Sequence, residues 1–165
     1  MSNLMQYKKS LSIIAVTLLV AGTAGAQQSG HVMHNPMHQP ESSDERQLVH
    51  YPEQMKSHTL MNMRDHLVTL QKIQLYLANG QYDQAAEIAE QRLGMSAMEL
   101  HGAKEASQFM PEGMQLAGTT MHHGASRFAQ VAINASVTDD LNAALNALAE
   151  VTASCIACHN GYRLQ

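Results

Sequence analysis

The stretch TDDLNAALNALAEVTASCIACHNGYR, residues 138–163, decides the fold. Leu141, Leu145, Leu148, Val151, Cys155, His159 and Tyr162 recur at the spacing of an apolar stripe on one helix face. Thr138 is the expected cap of this helix, and Asp139 and Asp140 suit the positive end of its dipole. The stripe faces the interior and carries Cys155-Ile156-Ala157-Cys158-His159 with it.

Cys155 and Cys158 are the only cysteines in the sequence. On a helix, positions 155, 158 and 159 leave from one face. Two neighbouring thiols can then hold one edge of a flat macrocycle through thioethers, and a neutral imidazole can reach its iron. This is the pattern of covalent c-type haem attachment, with one haem c per chain. Dithiol redox pairs and half zinc sites share the Cys-x-x-Cys spacing. A redox pair usually opens a helix beside a βαβ pattern, whereas this one closes a helix with no strand before it.

Working backwards, four helical stretches are expected. The first runs from Glu53 to Asn79, with Leu60, Met63, Leu67, Leu70 and Leu77 at helical spacing and Asn79-Gly80 as the stop. The second begins near Asp83 and is interrupted at Gly94, and Ser96 and Glu99 form a capping-box pattern that restarts it through Ala106. The third runs from Pro111 to Asn134, weakened by Gly113, Gly118 and Gly124. The fourth is the stretch above. Aromatic residues are 4% of the chain, tryptophan is absent, and no period-2 alternation is evident. The expected fold is all-α, an antiparallel four-helix bundle over residues 51–165 with a flexible N-terminal leader.

Lys8 and Lys9, the apolar run Leu11 to Val20 and Ala24-Gly25-Ala26 read as a signal peptide over 1–26, cleaved to leave an exported chain. No later segment reads as apolar enough to cross a bilayer. Residues 27–50 lack helical periodicity and read as the leader. Within it His31, Met33, His34, Met37 and His38 offer imidazole and thioether donors suited to copper. The formal net charge is −4, which argues against a nucleic-acid partner. No triad, phosphate loop or paired-carboxylate pattern points to enzymatic chemistry, and no distal acid–base pair for peroxidase activity is evident. His101, His122 and His123 read as surface residues, and Met95, Met98, Met110, Met114 and Met121 as adaptable core.

Cys155-x-x-Cys158-His159-x-x-Tyr162-Arg163, at the end of a last helix, resembles the class II c-type cytochromes, the cytochrome c-prime family. The resemblance is sharp over 138–163 and looser before it, where only the helical layout and the Gly80 to Asp83 turn are similar. It implies Cys155 and Cys158 as attachment sites, His159 as proximal iron ligand and Arg163 as a cation near the haem edge. Position i+4 from His159 on a helix would agree with that role for Arg163, and a fixed cation there would raise the reduction potential. It also implies a distal position filled from the first helix. Met63 there would give a six-coordinate electron carrier, with His66 a weaker candidate, and Leu60 an open iron that binds NO or CO. Relatives often dimerise through their first two helices, and Met61, Val68 and Leu75 offer a second apolar face for a homodimer. The expectation is thus a periplasmic electron-transfer cytochrome serving redox partner proteins, with gas binding as the alternative.

Overall fold

A computed structural model describes residues 44–165. The expected signal peptide and the leader histidines and methionines at 31–38 lie outside the described residues. The elements are β1 (Gln47–Val49), α1 (Glu53–Ala78), α2 (Tyr82–Arg92), a 3-10 turn (Met95–Ala97), α3 (Ala103–Ser107), α4 (Glu112–Thr138), α5 (Leu141–Gly161) and β2 (Tyr162–Leu164). The described chain is mostly helical, as its composition implies.

Each boundary has a local cause. Asn79 closes α1 and its side-chain amide donates to the Leu75 carbonyl, while Gly80 takes φ 68. Only glycine adopts that conformation without strain. The expected capping box does not form. The Ser96 hydroxyl instead donates to Glu90 Oε1 at 2.6 Å, and a 3-10 turn and the short α3 stand where one helix through Ala106 was expected. The glycines of α4 do not break it, and it runs on past Asn134 to Thr138. A Cβ at Gly113 would collide with the Tyr162 hydroxyl, so the missing side chain lets β2 approach α4. Thr138 does not cap α5. Its hydroxyl donates to the Asn134 carbonyl within α4, Asp139 turns the chain at φ 55, and Asp140 accepts from the Ala143 N–H at 2.9 Å. One residue of αL turn thus moves the cap from Thr138 to Asp140.

α4 packs along α5 and against α2, and α2 packs against α1. Ile73, Leu93, Phe128 and Val151 are fully buried there, and Ala125, Ala132 and Ala144 let the helix backbones approach. The buried face of α1 is not the expected leucine stripe. It comprises Thr59, His66, Thr69, Ile73 and Leu77, and Leu67 is 68% exposed. Met61, Val68 and Leu75 are exposed together on another face.

Residues 47–49, at the end of the expected leader, form a strand. β1 pairs in parallel with β2, setting Gln47 opposite Tyr162, Leu48 opposite Arg163 and Val49 opposite Leu164. Val49, Tyr51 and Met114 form a second small core, against which Cys158 and Tyr162 pack. α5 is, contrary to expectation, long and apolar enough to cross a membrane by length and composition. In this fold its Ala144, Leu148 and Val151 are buried within the main core.

Candidate functional site

The end of α5 brings three chemically distinctive side chains to one place. Cys155 and Cys158 are free thiols, both half-buried. Cys155 packs on the main core and Cys158 on the small one. Cys158 and His159 line one cavity of about 310 Å³, to which α1 contributes Leu60 and Met63. α4 contributes Met114 and Met121, and β2 contributes Tyr162 and Arg163. The lining is predominantly apolar.

Burial pushes the Cys155 thiol up, and burial followed by the neighbouring Cys155 does the same to Cys158. Both thiols are therefore protonated near neutrality. A dithiol redox pair needs a lowered pKa at a helix N-terminus or beside a cation, and this pair has neither. The phenol of Tyr51, buried and close to Cys158, is pushed up to about 12.

Arg163 lines the same cavity as His159, but not by the expected route. The helix ends at Gly161, and Tyr162 N–H donates back to the Cys158 carbonyl. Arg163 then sits on a strand rather than one turn along a helix. Its Nε stands 3.5 Å from Asp44 Oδ2, and Asp44 also chelates Arg46 at 2.7 Å. The Arg46 hydrogen bond holds the Asp44 carboxyl down, to about 2. Arg46 Nη1 in turn donates to the His159 carbonyl at 3.4 Å. Arg163, which lines the cavity, thus belongs to a surface cluster of two guanidiniums about one carboxylate.

The donor set fits a haem c. Two reduced thiols leave one helix face, an imidazole beside them lines an apolar cavity, and the Lys56 and Arg163 side chains in its lining match anionic substituents of the ring. Met63 is half-buried and lines the cavity, as do Leu60 and His66, so all three distal candidates reach it.

Two histidines depart from the sequence reading. His101 and His122, expected on the surface, are each only 7% exposed and cluster with the equally buried His66, while His123 is exposed as expected. The His66 and His101 ring centres lie 4.7 Å apart, His101 and His122 5.4 Å, and His66 and His122 6.3 Å. All three line the cavity. Burial lowers His66 and His101 to about 4, with the neighbouring imidazoles acting in the same direction. Burial also lowers His122, against the pull of its bonds to the Leu93 and Gly94 carbonyls. The signal available in the sequence was positional, since His66 stands seven residues from both Thr59 and Ile73 on the face that α1 buries.

No family model matches the chain, and no curated protein or solved structure shows significant similarity to it.

Proposed function

We propose that this chain is an exported c-type cytochrome resembling the cytochrome c-prime family, with an antiparallel four-helix bundle formed by α1, α2, α4 and α5. Cys155 and Cys158 would hold one haem through thioethers, and His159 would ligate its iron from the proximal side. What carries this reading is the Cys-x-x-Cys-His motif closing α5, with half-buried Cys158 and exposed His159 both lining one apolar cavity. The packing of α1 on α2, α2 on α4 and α4 on α5, with short links at α1–α2 and α4–α5, supports the bundle. The raised thiol pKa values weigh against the dithiol alternative.

When bound, the haem supplies a one-electron couple at its iron. The chain's own residues hold, orient and shield. Met114 and Met121 give the cavity a buried apolar lining, which would favour the less charged state of a bound iron. Arg163 in the cavity lining adds positive potential, reduced by its pairing with Asp44. Both effects raise a reduction potential. This suits transfer of electrons between protein partners in the periplasm, with no substrate turned over by the chain itself. Leu60 on the same wall as Met63 favours a second reading, an open iron that binds NO or CO.

The test is the absorption spectrum of the full chain, made in a host with haem-attachment machinery. Wild type is expected to show reduced c-type bands that survive denaturation, and Cys155→Ala/Cys158→Ala is expected to lose them. Absence of haem bands from the wild type would overturn the reading. A reduced spectrum indifferent to CO identifies the electron carrier, and one shifted by CO identifies the gas-binding form.

A further inference from the structure

The buried histidine cluster has no part in the proposed attachment of haem. Histidine is seldom buried without a partner, because each ring nitrogen is a donor or an acceptor that water would otherwise satisfy. Here three imidazoles from α1, α4 and the turn before α3 are brought together. His101 Nε2 is buried without any hydrogen-bond partner. The ring of His101 lines the cavity beside His66 and His122.

The hydrogen bonds prepare these rings in a way that packing alone does not require. His122 Nδ1 lies 2.7 Å from the Leu93 carbonyl and 3.2 Å from that of Gly94. Carbonyls only accept, so the proton is on Nδ1 and the Nε2 lone pair is free. An imidazole held by a backbone carbonyl at one nitrogen and open at the other is the usual arrangement of a metal-binding histidine. The backbone of His101 is fixed as well, its carbonyl accepting from His58 Nε2 at 3.1 Å and Asn62 Nδ2 at 3.0 Å. His66 Nε2 and His101 Nδ1 are 3.4 Å apart. That is long for a hydrogen bond, and close to the separation of about 3.3 Å between two nitrogens bound tetrahedrally to one ion. Rings so bound have centres about 5 Å apart, against the 4.7, 5.4 and 6.3 Å found. Among the described residues no three such side chains stand in finished ligand geometry. Closing the widest pair by about 1 Å takes a shift of the side chains about Cα–Cβ, while ring rotation only re-aims the nitrogens.

We infer that His66, His101 and His122 form a binding site for one first-row d-block cation, zinc or copper, separate from the iron held at His159. Imidazole donors select this class over calcium or magnesium. Asp65, the nearest carboxylate in sequence, is engaged by Arg92 at 2.7 Å and 3.1 Å, so the ligand set is neutral nitrogen. The fourth position faces the cavity, where the Met121 thioether or a water can complete it.

The test uses the haem-loaded full chain with Zn2+ and, separately, Cu+ as probes. Metal retained after dialysis is counted by elemental analysis, and thermal melting is followed with and without Zn2+. Wild type and His123→Ala are expected to retain one more equivalent per chain than His66→Ala, His101→Ala or His122→Gln. Each of these three variants is expected to lose affinity by about a hundredfold or more. Ions bound by the leader are common to all forms and cancel in the comparison. Wild-type melting is expected to rise with Zn2+, a readout that does not depend on any variant folding. Equal retention by all forms, or no rise in melting, would overturn the site. So would a His66→Ala variant whose haem turns high-spin with metal retention unchanged, since the cluster would then serve the haem. Haem content, read independently from the thioether-bound bands, separates this outcome from failure of the cytochrome reading.

Discussion

Met63 and His159 reach one cavity from helices at opposite ends of the described chain. Replacing Met63 with leucine keeps volume and removes the thioether, so the fold should lose less than about 1.5 kcal/mol. If Met63 fills the sixth iron position, Met63→Leu is expected to turn a low-spin absorption spectrum into a high-spin one that responds to CO. An unchanged spectrum removes Met63 from the iron. The sequence pointed at Met63 because helical spacing joined it to Leu60 and Leu70, and that much of the site was legible in advance. It offered His66 only as a weaker candidate, because apolar periodicity follows apolar residues, and here threonine and histidine are three of the five buried residues of α1. Leu67 was misread for the complementary reason, being apolar yet mostly exposed.

The limits of α1 follow from Asn79 and Gly80, whose chemistry acts on adjacent residues and so can be read directly. The α4–α5 junction is harder, since the cap depends on one residue turning left-handed at Asp139. The carboxylate of Asp140 is the acceptor that satisfies a free N–H of the first turn of α5. Asp140→Ala is therefore expected to lower unfolding free energy by about 1 kcal/mol, and Thr138→Ala by less than half of that. Urea denaturation followed by circular dichroism measures both, and an equal loss would return the cap to Thr138. The persistence of α4 through three glycines also had no local signature. Its packing against both α2 and α5 outweighs a cost of about 1 kcal/mol for each glycine. β1 and β2 were invisible because three residues are too few to show a period.

For the whole molecule, the buried imidazoles set a pH dependence. Unfolded histidine takes up a proton near pH 6.5, whereas His66 and His101 in the fold hold out to about 4. Between those limits the unfolded chain binds more protons, so stability is intact above the unfolded value and falls as the pH drops through the window. Asp65 favours the charged rings, while Arg92 and His58 oppose it, and burial prevails. The metal-free protein is expected to melt several degrees lower at pH 5 than at pH 7.5. His66→Gln should narrow that gap, and His123→Ala should leave it unchanged. The β1–β2 pairing acts at the same scale. It joins residues from before the first helix to residues after the last, and closing so long a loop is slow beside local helix formation. The helices are thus expected to assemble while Tyr162 to Gln165 are still unpaired. During that interval Cys155 and Cys158 stand next to a loose segment. If a haem is attached as proposed, the clasp works as a timer, leaving an interval for covalent maturation before Tyr162 to Leu164 pair with β1 and lock the door behind it.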